Sequence, residues 1–156
     1  MPKPQDPRVP DEVEEYLVER SARAGQIGGG IGGAIGGGGG GFLGGRSGGA
    51  RGGERGARQI HTLVEERTGH LQLTEEQIRA RVVSAAPRAQ EMPAKDVQRW
   101  AVPVASTGLT HVVIDVATTA DDGGGQVVLR AFGKEGLITR HPTKQLANQL
   151  WTALEQ

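Results

Sequence analysis

The chain has 156 residues, with 18 basic and 18 acidic side chains, 26 glycines and no cysteine. That length fits one ordinary domain with additions. The charge balance argues against nucleic acid or an anionic membrane surface as the main partner, and the absence of cysteine excludes disulfides, thiol catalysis and thiolate metal sites.

Residues 1–10 carry four prolines and read as an extended tail. No basic start followed by an apolar run is present in residues 1–20, so no secretory signal is expected and the reading is cytoplasmic. Asp11 to Ala24 reads as a helix. Its acids Asp11, Glu12, Glu14 and Glu15 sit at the positive end of the helix dipole, and Arg20 and Arg23 at the negative end. Its apolar stripe, Val13, Tyr16, Leu17 and Ala24, is too narrow for an isolated helix, so it requires a packing partner.

A strict four-residue repeat follows. One glycine row runs through Gly25, Gly29, Gly33, Gly37, Gly41, Gly45, Gly49 and Gly53. A second runs through Gly28, Gly32, Gly36, Gly40, Gly44, Gly48, Gly52 and Gly56. A third position carries Ile27, Ile31, Ile35 and Leu43 and then turns polar and basic with Ser47, Arg51 and Arg55. Ala24 to Gly45 is uncharged, and as one straight helix its 22 residues would reach roughly 33 Å, enough for a bilayer core.

Glycines at this spacing resemble a glycine-zipper segment over residues 25–45. The resemblance implies close helix packing through Gly25, Gly29, Gly33, Gly37 and Gly41, with Ile27, Ile31 and Ile35 supplying the apolar contacts of self-association. Against it stands helix propensity. Fourteen of the 22 residues are glycine, a penalty of roughly 14 kcal/mol relative to alanine before packing. A flexible glycine linker is therefore the competing reading. The basic half, with Arg46, Arg51, Arg55 and Arg58, has the arginine–glycine character of some RNA-binding segments, but no interleaved aromatics, so RNA is not the expected partner. Beside a membrane the same arginines would place the C-terminal part on the cytoplasmic, inner face.

The rest of the chain reads as a compact domain. The spacing of Ile60, Leu63, Val64 and Arg67 predicts a helix over 58–68 with Gly69 as its stop. Thr74 and Gln77 form a capping-box pair opening a second helix that ends at Pro87. Residues 87–98 read as a loop, and Trp100 to Val104 as a short strand placed at an edge by Pro103. Leu109 to Thr119 is the strongest strand, with Val112, Ile114 and Val116 on one face and His111, Val113, Asp115 and Ala117 on the other. Asp121 to Gly125 reads as a turn into a returning strand, Gln126 to Phe132. Leu137 and Ile138 suggest another short strand, and Pro142 to Leu154 a closing helix.

The expected class is α+β: a small antiparallel sheet with helices packed on one face, preceded by a glycine-rich low-complexity segment. The divisions are 1–24 (polar tail and short amphipathic helix), 25–56 (tetrapeptide-repeat segment) and 57–156 (α+β domain).

Chemistry is sparse. His61, Glu65, Glu66 and His70 lack the spacing of a zinc protease and read as a solvated helix face. His111 reads as structural. Asp121 and Asp122 lack the remaining ligands of a calcium loop. GxGxxG matches in the repeat follow no strand, so no nucleotide site is expected. Arg130, Lys134, Arg140, His141 and Lys144 are the candidate contact for an anion or a partner, beside the start of the last helix. No catalytic residue, metal, cofactor or small-molecule substrate is predicted. The sequence points to a non-enzymatic interaction or adaptor protein with a glycine-rich tether. The alternative is a membrane-associated glycine-zipper protein that oligomerises through residues 24–45.

Overall fold

The structure is a computed structural model. It describes residues 6–104, 110–119, 125–134 and 141–156, with the side chains of 28–47 and 50 outside that set. In chain order the elements are α1 (Asp11–Gln59), β1 (Thr62–His70), α2 (Glu75–Ala85), β2 (Gln90–Met92), β3 (Gln98–Pro103), β4 (His111–Thr119), β5 (Gln126–Lys134) and α3 (Pro142–Glu155). The five strands form one antiparallel sheet in the order β1-β5-β4-β3-β2. The α+β class is thus as the sequence indicates.

From β2 to β5 the chain is a simple meander. The β4–β5 hairpin pairs Val112↔Gly133 through Thr119↔Gln126. Alternation divides its side chains as expected. Val112, Ile114 and Val116 point to one face, where they join Trp100, Val102, Val127, Leu129 and Ala131 beneath α2 and α3. Ile78 and Val82 of α2, and Leu146, Ala147, Leu150 and Leu154 of α3, complete this main core. Thr74 caps α2 as a full capping box: its hydroxyl accepts the Gln77 N–H at 3.2 Å, and the Gln77 side chain accepts the Thr74 N–H at 2.9 Å. Pro142 occupies the first turn of α3, after His141 in a left-handed conformation.

Three local expectations are corrected. Residues 62–70 are a strand, not the end of a helix. Ile60, Leu63, Val64 and Arg67 mimic helical spacing, but nine consecutive pairings with β5 override it. With that correction the solvated helix face of His61, Glu65, Glu66 and His70 disappears, since Glu65 and Glu66 project to opposite faces of the sheet. Residues 90–92, read as loop, form β2. Consequently β3 is not an edge strand, although β2 covers only Arg99 to Ala101 and leaves Pro103 beyond its reach. The expected Asp121–Gly125 turn, apart from Gly125, and the Leu137–Ile138 strand lie outside the described residues.

α2 and α3 lie on one face, as the alternation required. The opposite face is covered in part by the start of α1. Val9, Val13 and Leu17 pack on Val113 and Phe132, flanked by Tyr16, Val64 and Met92. The narrow stripe of the first helix therefore finds its partner in the sheet itself.

Candidate interaction site

α1 is fastened to the sheet by charges as well as by apolar contact. Arg99 and Asp115 are cross-strand neighbours on the α1 face. Arg99 donates to both Asp115 carboxylate oxygens, at 2.6 and 2.8 Å, and to Glu12 at 2.9 Å. The Arg99 and Asp115 side chains are only 5% and 8% exposed, whereas Glu12 is 80% exposed. The bidentate Asp115 bond chiefly, with help from Glu12, raises the Arg99 pKa further against the opposing effect of burial. A second clamp engages α1 two residues further on, at Glu14. Lys134 binds Glu14 at 2.6 Å and the Ile60 carbonyl at 2.9 Å, and Thr62 donates to Glu14 at 2.5 Å. A third contact stacks Arg20 over Tyr16 (5.2 Å) and sets Tyr16 edge-on to His111 (6.0 Å between ring centres).

Beyond these clamps α1 cannot be a straight rod. At 1.5 Å per residue, Gly25 and Gly49 would be about 36 Å apart in one. Instead their backbones touch: a β-carbon on Gly25 would strike the Gly49 carbonyl oxygen and come within 3.0 Å of the Gly53 α-carbon. A β-carbon on Gly53 would lie 2.7 Å from the Ser21 carbonyl oxygen and 3.2 Å from the Ala22 α-carbon. The segments around 21–25 and 49–53 are therefore antiparallel limbs in backbone contact, and the chain reverses between them. Small residues four apart on both sides, Ser21 and Gly25 against Gly49 and Gly53, permit this approach.

The two glycine rows of the repeat take different positions on the second limb. Gly49 and Gly53, from the row that begins at Gly25, face the first limb. Gly48, Gly52 and Gly56, from the other row, would each meet nothing within 4 Å if given a β-carbon. Of the residues expected to mediate self-association, Gly25 lies in the limb contact and Ile27 is 48% exposed. The side chains of Ile31 and Ile35, like the surroundings of Gly29, Gly33, Gly37 and Gly41, lie outside the described set.

The basic group read as an anion or partner contact is divided by the sheet. Arg130 and Lys134 lie on the α1 face, where Glu66 binds Arg130 at 2.6 Å and Glu14 binds Lys134. His141 and Lys144 belong to the start of α3, which packs on the other face. Arg140 lies outside the described residues. The Glu12–Arg99–Asp115 network was missed in the sequence. The signal available was the opposite charge of Arg99 and Asp115, which becomes informative only once the β3–β4 register is known.

Among the described residues no group of His, Asp and Glu is arranged to hold a metal ion, and no helix is long and apolar enough to cross a membrane. No protein-family model and no curated protein matches the chain. A solved structure, the crystal structure of Ara h 8.0201, aligns with 61% of this chain and 99% of its own at 10% identity and a TM-score of 0.26, a likeness too loose to carry an argument.

Proposed function

We propose that this is a non-enzymatic interaction protein, in which the α+β domain is a platform and the glycine-rich part of α1 is the element that meets a protein partner. The observation that carries this reading is the pairing of the two limbs. Gly25, Gly49 and Gly53 of one glycine row are consumed in backbone contact between the limbs, while Gly48, Gly52 and Gly56 of the second face open space. A helix surface without side chains admits another helix at close range. The clamps at Arg99 and Lys134 hold the base of this element at a fixed position on the sheet. They also occupy the buried charges of the α1 face with one another, which suits a mechanical role for them rather than a chemical one.

The alternative reading is membrane association through residues 24–45. The observation that favours it is the uncharged run from Ala24 to Gly45. Because the chain reverses, with Gly25 against Gly49 and Ser21 against Gly53 centring the reversal near residue 37, the longer limb of that run has about 13 residues and reaches only ~20 Å, two-thirds of a hydrocarbon core. Such an element would enter one leaflet rather than span the bilayer, with the α+β domain on the cytoplasmic side.

Fractionation of the native host separates the two. The full-length chain and a version lacking residues 24–45 are compared for pelleting with membranes. Interaction through a soluble partner predicts that both stay in the supernatant and that the cross-linked complex of the full-length chain is lost when Gly48, Gly52 and Gly56 are replaced by leucine. Membrane association predicts that the full-length chain alone pellets and is released by detergent.

A further inference from the structure

The two edges of the sheet are finished differently. β2 has only three residues, which blunts its edge. β1 has nine, pairs with β5 from Thr62↔Lys134 to His70↔Gln126 without a bulge, and contains no proline. Among the described residues no strand covers its outer side. It therefore offers a row of backbone donors and acceptors suited to accepting another strand. Its charges, Glu65, Glu66 and Arg67, discourage one, and the Arg67 guanidinium already donates to the Glu66 carbonyl oxygen at 2.7 Å.

We propose that these charges select rather than discourage, and that the edge is closed by β1 of a second copy, antiparallel about a two-fold axis at Glu66. An axis perpendicular to the sheet keeps every residue on its own face, so the register must be centred on a residue. Centring on Glu65 or on Arg67 opposes two like charges and forms no ion pair between the copies, whereas centring on Glu66 opposes the two Glu66 carboxylates but gains two ion pairs. Centring on Glu66 places Glu65 opposite the second copy's Arg67, and Arg67 opposite the second copy's Glu65. Within one strand Arg67 already lies 3.3 Å from Glu65, and Asn148 of α3 holds it at 2.7 Å. The paired strands thus form a ring of four alternating charges.

The same register matches apolar surface. Leu63, 43% exposed, comes opposite the second copy's Gly69. Gly69 is where Trp151 of α3 comes down on the strand, since a β-carbon there would lie 2.9 Å from the indole. Leu63 is thereby set against the half-buried Trp151 ring of the other copy, twice per dimer. On the α1 face Val64 pairs with Thr68. Glu66 meets its own copy at the axis, each carboxylate already bound by Arg130 at 2.6 Å. The result is one continuous sheet through both copies. This surface is separate from the glycine-rich element, and the proposal does not rest on the function proposed for that element.

The test uses the full chain in sedimentation equilibrium. The wild type is expected to dimerise. E65R or R67E alone opposes like charges at both symmetric positions and should raise the dissociation constant about tenfold or more. An equimolar mixture of the two variants restores opposite charges at every position and should recover the wild-type constant, as should the double variant E65R/R67E. The proposal is overturned by a wild type that stays monomeric to about 1 mM, by a dimer that neither reversal weakens, or by weakening that neither the mixture nor the double variant repairs.

Discussion

Two neighbouring glycines should respond oppositely to the same substitution. Gly52 and Gly53 both lie inside α1, where alanine in place of glycine ordinarily gains about 1 kcal/mol of helix stability. At Gly52 a β-carbon meets nothing within 4 Å, so Gly52→Ala should realise that gain. At Gly53 it would lie 2.7 Å from the Ser21 carbonyl oxygen, 3.2 Å from the Ala22 α-carbon and 3.3 Å from the Gly25 α-carbon. All three are backbone atoms of the facing limb and cannot rotate aside, so the limbs themselves must part. Overpacking of this kind costs ~1–3 kcal/mol. Set against the propensity gain, Gly53→Ala should be destabilising by ~0–2 kcal/mol, placing the two variants ~1–3 kcal/mol apart. Urea unfolding followed by far-UV circular dichroism reads the global difference, and amide exchange over residues 48–59 reads the limb itself. If Gly53→Ala stabilises as much as Gly52→Ala, the limbs are not in contact and the hairpin argument fails.

Other outcomes follow from the clamps. Arg99→Met strands the Asp115 carboxylate, only 8% exposed, and should destabilise by ~3–5 kcal/mol. Replacing both partners, Arg99→Met with Asp115→Leu, should recover most of that loss, while Glu12→Gln, at an 80% exposed side chain, should cost no more than ~1 kcal/mol. Denaturant midpoints that rank Arg99→Met with Glu12→Gln would show that the buried pair does not stabilise the sheet. Near the chain start, the hydrogen bonds that Arg8 donates from its side chain and backbone hold the Asp6 carboxyl down at about 2, below its ordinary 3.8. Because the folded value is depressed, the contribution of this contact is complete above the ordinary carboxylate range and is lost as pH falls through about 2. A carboxyl titration by NMR that finds Asp6 at its ordinary value would mean that the contact does not form in solution.

What the sequence revealed depended on how local the governing interaction is. The capping box at Thr74 and Gln77, the face alternation of Val112, Ile114 and Val116, and the stripe of α3 are set by neighbours within a few residues, and each was legible. β1 was not. Its partner β5 lies about 60 positions away, and Ile60, Leu63, Val64 and Arg67 fall by coincidence at helical spacing, so only the finished sheet distinguishes strand from helix. The same holds for Arg99 and Asp115, which are ordinary charges until β3 and β4 are laid side by side. In the repeat, the two glycine rows are plain in the sequence, but nothing local says which row faces a partner. That is set by the reversal that brings Gly25 to Gly49 and Gly53. The basic residues Arg130, Lys134, His141 and Lys144 are close in sequence yet end on opposite faces of the sheet, because α3 leaves β5 for the other layer.

A distance across the two limbs tests most directly whether α1 folds back on itself while its base is held on the sheet. The chain has no cysteine, so a pair of spin labels can be introduced without background, at the exposed positions Arg23 and Arg51. The distance between them, measured by pulsed electron resonance on the full chain, should be within about 25 Å for limbs in glycine contact, label arms included. One straight helix would separate the same positions by about 42 Å. A distribution centred near the longer value would mean that the helix does not reverse, and one centred at the shorter would establish the hairpin on which the proposed interaction element rests.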